Sequence, residues 1–482
     1  MEFPELNSWI GGASEPSAEA LPAAQDLHDP NTGERFAENR SASAEQLDRA
    51  IAAATAAHED GRWSGLGAEG RAEVLGRFAA ELDGIAERVA RLDALNSGVP
   101  ISVTRLFAGS AGDTVRGAAA RAVGLGDERA LEAGRRDVRV RRVPWGPTAL
   151  VAPWNAPSAM AVKKLAFALA AGAPALLKPS SASPWSAELV VEAAVRAGIP
   201  EGVVSLVLGS GRIGAQLVAD PRVRAISMTG STPTGRSIAA AAAPHFTRLR
   251  LELGSNNPAI VLGDADLTAG AESIASGALK LSGQWCEAPR RVLVQRERLG
   301  ALVDELERAC SAFRIGSSLD DSTALGPVAF EARRIELRAQ RDALVSRGAR
   351  AVEVGEVPGA GWFVPPTLLV GDDLNAEEEC FGPMLVVEPF DSVEEAVSRA
   401  NRGQVGLAGY VFTADEQLGR AIGARLVAGE VKINGTSALD MAPDSVQSFF
   451  GDAGIGGHGD AELLEFFTGQ QILGTDPPGL PM

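Results

Sequence analysis

"TALVAPWNAPSAMAVKKLAFALAAGAPALLKPSS", residues 148–181, decides the fold. A short apolar run, TALVAP, leads into a stretch of helical spacing over 158–170, and a second short run, ALLK, follows. Neither run alternates apolar with polar, as a half-solvated strand would, so both read as strands covered on two faces. Two such strands joined by a helix form a right-handed crossover in a parallel sheet.

The alternation continues in both directions. Downstream come a helix over 184–197, the strand VVSLVL, a helix over 212–219, the strand VRAISM, a helix from 233 and the strand RLRLEL. After Asn257 a second series runs AIVLG, helix 267–280, RVLV, helices 296–313 and 329–347, LVVEPF, helix 392–402, LAGYVF, helix 414–427 and EVKI. That is enough for a second α/β domain of about 190 residues. Upstream, residues 43–122 read as helices. Ser43 and Gln46 have the spacing of a capping box, and a second helix, from about Ala68 to Leu95, is stopped by Gly98 and Pro100. Between the two regions DVRVRRVPWG alternates like a strand, preceded by a turn at Ala133-Gly134.

Composition narrows the function. The chain has 482 residues, 45% apolar and 22% charged, the balance of an ordinary water-soluble globular protein of two or three domains. Its net charge of −17, with acids and bases interspersed, disfavours nucleic acid or an anionic membrane as partner. The run from Leu165 to Leu177 contains Gly172 and Pro174 and is too short to span a bilayer. No basic segment leads into an apolar one near Met1, so no secretory signal is read. Three cysteines, none spaced as a metal pair, favour a reducing cytoplasm and no bound metal.

Several stretches carry chemistry. GSGRIG, 209–214, fits G-x-G-x-x-G between a strand and a helix, yet the next strand ends in SMTGS with no carboxylate for a ribose. Glycine turns at that place are also common for steric reasons alone. MTGSTPTG, 228–235, ends a strand and opens a helix at Pro233; its exposed N–H groups suit an anion, or simply a capped helix. PWNAP places Asn155, LLKPSS places Lys178 and LELGS places Glu252, each just after or at the end of an apolar strand, where ligands of open α/β sheets gather. LSGQWCEAP sets Cys286 beside Glu287. A cysteine is more often a small buried hydrophobe than a nucleophile.

In order and spacing, PWN, KPSS, MTGST, LELG, GQWC and EECFGPM resemble the signature set of the NAD(P)-dependent aldehyde dehydrogenase superfamily, from DPNTGE near residue 30 to FFTGQQI near 470. The separation of Glu252 from Cys286 also matches the family's acid and nucleophile. The resemblance implies an α/β fold with a Rossmann-variant cofactor domain (1–123 and 143–254), an α/β catalytic domain (255–447), and a small β oligomerisation element with a substrate-mouth segment (124–142 and 448–482). It implies a homodimer or homotetramer that oxidises an aldehyde to a carboxylic acid through a cysteine thiohemiacetal and thioester. By the same resemblance Cys286 is the nucleophile, Asn155 an oxyanion donor with the Cys286 N–H, Glu252 the general base and Lys164 a proton relay. A surface salt bridge is the other reading of Lys164, with Lys163 beside it. For the cofactor, NAD or NADP, it implies Ala152, Trp154, Lys178, Ser181, Gly211, Gly214, Gly230, Ser231, Gly235, Glu379 and Phe381.

The departures matter as much. Many NAD-preferring members have glutamate three residues after the lysine; here Ser181 stands there, so NADP is expected to be accepted. Ser255 replaces a usual glycine, and the usual PFGG region reads SFFGDAGIGGHG, with His458 either a pocket residue or a solvated one. Glu287 beside the nucleophile would raise its pKa; facing inward it would disfavour anionic semialdehydes, facing outward it would be a surface acid. The segment AELLEFFTGQQI is loosely similar to benzaldehyde-oxidising members and favours an uncharged, possibly aromatic substrate. Cys310 and Cys380 read as packing residues. A semialdehyde or CoA-acylating dehydrogenase, and a catalytically inactive binding protein of the same fold, are the other readings.

Overall fold

The computed structural model describes residues 5–133, 136–437 and 445–475. The quoted stretch forms the centre of an eight-stranded sheet. Its five parallel strands lie in the order Val204–Leu206, Ala175–Lys178, Thr148–Val151, Ala225–Thr229 and Arg248–Glu252. The chain winds outward from Thr148–Val151 in one direction and then resumes on its other side. That reversal opens a crevice at the carboxyl ends of the central strands. Asn7–Ile10 and Ala13–Pro16 close one edge in antiparallel pairing, and Gly454–Ile455 pairs antiparallel with Arg248–Glu252 at the other.

Both faces are covered, as the unbroken apolar runs require. Leu150, Leu177 and Leu206 pack on one face with Phe78, Leu165 and Leu189. Their neighbours Ala149, Leu176 and Ile226 point the other way, against Leu47, Ile51 and Leu217. Ser43 caps the helix Ala44–Glu59 with the expected box, its side chain accepting from the Gln46 N–H.

The second series forms a seven-stranded sheet in the order Arg350–Glu353, Thr367–Val370, Met384–Phe390, Arg291–Gln295, Pro258–Val261, Ala408–Phe412 and Glu430–Ile433, parallel except at its first pair. The sequence reading passed from the helix over 329–347 directly to LVVEPF and missed Arg350–Glu353 and Thr367–Val370. Thr367–Val370 is four buried residues directly after Pro365-Pro366, too few to show a period. The N-terminal strands Asn7–Ile10 and Ala13–Pro16 were also unread; they are short edge strands without a continuous apolar face. Several helices are shorter than expected at both ends, such as Leu299–Ser311, preceded by a 3₁₀ turn at Arg296–Arg298.

A third, antiparallel sheet joins Glu128–Ala133, Arg136–Pro144 and Thr468–Gly474, so the segment near 124–142 and the C-terminal segment do meet. Gly134 of the expected turn lies outside the described residues, while Ala133 is the last residue of a strand. Among the described residues no helix is long and apolar enough to cross a membrane. No group of three side chains there could hold a metal ion.

The long helix Gly67–Ser97 ends at Gly98, which is left-handed with φ 72°. Its carbonyl accepts from Ser282 Oγ at 3.0 Å. A Cβ added there would lie 2.1 Å from the Pro327 carbonyl oxygen. Gly98→Ala is therefore expected to cost about 2 kcal/mol or more, from the left-handed backbone and the overlap together. Thermal unfolding would show a lowered midpoint; an unchanged midpoint would contradict this account of the helix stop.

Candidate active site

The strand Arg248–Glu252 runs to the crevice with Glu252 as its last residue, buried. Thr229 Oγ1, at the end of the neighbouring strand, donates to Glu252 Oε2 at 3.0 Å. The other oxygen, Oε1, is 3.7 Å from Cys286 Sγ and 3.1 Å from His458 Nε2. The acid and the thiol, 34 positions apart in the chain, are thus in contact.

Cys286 sits in a loop fixed from several sides. Asn257 Nδ2 donates to the carbonyls of Cys286 and Ala288 at 2.8 and 3.0 Å. The buried Arg290 donates to the carbonyls of Gly283 and Trp285. Gln284 donates from its amide to Ser97 and accepts from the Ala329 N–H. Asn155 Nδ2 donates to the Gln284 carbonyl at 2.7 Å, which brings its amide beside the same loop with a second N–H to spare.

The protonation pattern follows from burial and neighbours. Burial, then the carboxylates of Glu252, Glu287 and Glu379, hold the Cys286 thiol well above its ordinary pKa. Burial would also raise Glu252, but His458, Arg250 and Lys164 outweigh it and hold its carboxyl below the usual range. The pair therefore rests as thiol and carboxylate. Lys164 is buried on the helix Pro157–Ala170, with Nζ 3.0 Å from Ser227 Oγ, and burial lowers its pKa to about 7. The surface alternative falls to its neighbour: Lys163 Nζ lies 3.9 Å from Asp460. Glu287 faces inward. It is buried and accepts from Gln447 Nε2 at 3.1 Å, and burial raises its pKa.

The residues expected to hold a dinucleotide have the following surroundings. Ala152 donates its N–H to the Lys178 carbonyl. Lys178 is buried, and its Nζ donates to the carbonyls of Gly209 (2.8 Å) and Pro179 (3.2 Å); burial lowers its pKa to about 8. Gly214 leaves room for that lysine, since a Cβ there would lie 3.1 Å from Lys178 Cε. Gly211 opens the helix Gly211–Ala219 in open space, so no steric demand explains it. Ser231 caps the helix Thr232–Ala242, and Gly230 just before it donates its N–H to the Glu252 carbonyl. Gly235 lets that helix approach Leu253, which a Cβ would meet at 2.5 Å. Trp154 packs edge-on against Phe381 at 5.5 Å. A cavity of about 760 Å³ opens there, lined by Trp154, Ser180, Ser181, Phe330 and Trp362 among others.

Glu379 is buried, which raises its pKa to about 7 against the pull of Arg290 and Arg333. Its Oε1 has no hydrogen-bond partner among the described residues. Its Oε2 approaches Gly254 so closely that a Cβ there would lie 2.3 Å away. A buried acceptor awaiting a donor fits a ribose hydroxyl, and the set fits a dinucleotide. Cys310 and Cys380, by contrast, are buried in apolar clusters, Cys380 between Glu379 and Phe381. Sequence reasoning missed Thr229, Asn257, Gln284 and Arg290. Their residue types and spacing carried no signal that set them apart from neighbouring polar residues.

Comparison with known proteins places the chain in a family. The aldehyde dehydrogenase family matches residues 18–473. Geranial dehydrogenase of Castellaniella defragrans is 38% identical over 402 residues, covering 81% of this chain and 83% of that one. A 4-(hydroxymethyl)benzenesulfonate dehydrogenase of Comamonas testosteroni is 35% identical over 454 residues, 93% of this chain and 94% of the other. Aldehyde dehydrogenase C of Pseudomonas syringae, solved with NAD+ and octanal, superposes with a TM-score of 0.89 at 32% identity, over 97% of this chain and 96% of that one. With this likeness along nearly its whole length, the chain belongs to the aldehyde dehydrogenase family and is an oxidoreductase acting on aldehydes.

Proposed function

We propose that Cys286 attacks the aldehyde carbonyl and that Glu252 serves it twice, first as acceptor of the thiol proton and then as the base that activates water. The observation that carries this reading is the 3.7 Å contact between Cys286 Sγ and Glu252 Oε1 inside a buried site. Addition of sulfur puts negative charge on the substrate oxygen, which the second Asn155 amide N–H and the Cys286 N–H would receive. A dinucleotide held in this site would supply the acceptor for a hydride leaving the substrate carbon. A thioester on Cys286 results, and Glu252 takes a proton from the water that hydrolyses it. Lys164, with a pKa near neutrality, offers that proton a way out. Lys178, Glu379 and the helix start at Ser231 would hold the dinucleotide's ribose and phosphate groups. Ser181 leaves room for a 2′-phosphate beside Lys178, so NADP is accepted as well as NAD.

The substrate is an uncharged aldehyde. Cys286, Val103 and Phe107 pack on the cluster of Val99, Leu281, Trp285 and Ala288, and Cys286 also touches that of Leu407, Phe449 and Ala453. The relatives' names span geranial, octanal and a benzenesulfonate anion, so the class is argued from this chain's own apolar surround and its inward Glu287. The chain works as a homo-oligomer in solution, joined through the outer strand Thr468–Gly474, where Ile472 is 69% exposed.

Cys286→Ala is expected to abolish reduction of the dinucleotide while leaving its binding intact. Asn155→Ala should lower kcat by about 100- to 1,000-fold. Steady-state absorbance with a linear aldehyde checks both, and turnover by Cys286→Ala would refute the reading. For the cofactor, Kd for NADP should be no more than tenfold above that for NAD, and Ser181→Glu should weaken NADP selectively. Fluorescence titration decides this. For the substrate, an aldehyde bearing a terminal carboxylate should show a kcat/KM at least tenfold below that of its uncharged analogue. Glu287→Gln should narrow that gap; equal values in the unaltered enzyme would contradict the inward-acid argument.

A further inference from the structure

The rewritten C-terminal loop carries His458 to the acid. Gly454 pairs with Glu252 at the sheet edge, and His458 lies opposite Gln447 in a small two-stranded ribbon. His458 Nε2 is 3.1 Å from Glu252 Oε1, the same oxygen that faces Cys286. On the other side of the ring, Arg250 Nη2 is 3.2 Å from His458 Nδ1. A guanidinium can only donate. Nδ1 must therefore be the acceptor, the ring proton sits on Nε2, and Nε2 donates to Glu252.

The ring has little freedom to do otherwise. Phe449 meets it edge-on at 4.9 Å with planes at 89°. Arg250 is anchored in turn by donating from Nε to the Gly457 carbonyl at 2.9 Å. The Glu252 carboxylate is thus held at both oxygens, by Thr229 on Oε2 and by His458 on Oε1.

We propose that His458 is a positioning residue for the general base: with its tautomer chosen by Arg250, it fixes Glu252 against Cys286. The inference rests on the reading of Glu252 as base. His458 does not relay the proton, because its acceptor nitrogen is already engaged by Arg250. The charged or titratable groups around the pair are Arg250 on the same strand, Lys164 from the helix Pro157–Ala170, Cys286 and Glu287 from the nucleophile loop, and Glu462 from the helix Asp460–Phe466. A donor on the carboxylate lowers its pKa. Removing that donor raises it, so the acid limb of the kcat profile, where activity is lost as Glu252 takes up a proton, moves to higher pH.

The test is the pH dependence of kcat with NAD and a linear aldehyde. His458→Phe keeps a ring against Phe449 and removes the donor; His458→Gln restores an N–H. His458→Phe is expected to lower kcat about tenfold, a fraction of the general-base effect. Its acid limb should rise by about one pH unit with KM for NAD unchanged, and His458→Gln should recover much of both. His458→Ala stands in where His458→Phe does not fold. An unmoved acid limb, or equal impairment without rescue by His458→Gln, would overturn the proposal. Glu252→Gln separates the two readings: if it keeps full turnover and the limb, the base assignment itself fails, whatever His458 does.

Discussion

The arrangement depends on a loop held in a conformation that its own residues disfavour. Leu281 and Ser282, just ahead of Cys286, are left-handed at φ 52° and 58°. Each costs roughly 1–2 kcal/mol for a residue with a side chain. Buried polar ties hold the loop there. Ser282 Oγ bridges the Gly98 carbonyl and the Gly326 N–H, Gln284 reaches Ser97 and Ala329, and Arg290 gathers carbonyls from Gly283, Trp285 and Gly382. Burial lowers the Arg290 pKa only to about 10, so it stays charged at neutral pH and its hydrogen bonds are charge-assisted. Losing any one tie would strand a buried polar group, and that penalty defines the loop's one geometry.

The same ties explain how two separate sheets make one site. Glu252 is the last residue of the last parallel strand of the first sheet, and Pro258 is the first of a strand in the second. The short link between them contains Asn256 and Asn257. Asn257 turns inward to hold the Cys286 and Ala288 carbonyls, and its Oδ1 accepts from the Ala408 N–H at 3.0 Å. Asn256 reaches the carbonyls of Ala376 and Glu378, next to Glu379. Glu252, the Cys286 loop and Glu379 are thereby referred to a few consecutive residues, so a small displacement at the link would be felt at all three.

Much of this was legible in the sequence because the chemistry stands at strand ends. Asn155, Lys178 and Glu252 each end an apolar run or lie just beyond one, and Cys286 was found through the order of motifs rather than its own surroundings. What was not legible is instructive. Thr367–Val370 is too short to show a period, and the N-terminal edge strands have no continuous apolar face to announce them. His458 stood in a glycine-rich loop with no periodicity; only the pairing of Gly454 with Glu252 reveals where that loop goes. Arg290 and Asn257 act through backbone carbonyls, which no sequence pattern encodes.

A thiol crowded by three carboxylates looks poorly placed for a nucleophile, yet the crowding has a use. A resting thiolate would be open to oxidation, whereas Cys286 is held as a thiol by burial and by Glu252, Glu287 and Glu379. On the reading proposed for Cys286, its proton leaves as the carbon–sulfur bond forms and negative charge moves away from sulfur to the carbonyl oxygen. At that moment the charge lies near the Asn155 amide, and the repulsion that protected the thiol no longer opposes the reaction. Glu252, held low, accepts the proton weakly and gives it up readily, while Lys164, at about 7, takes it on near neutral pH.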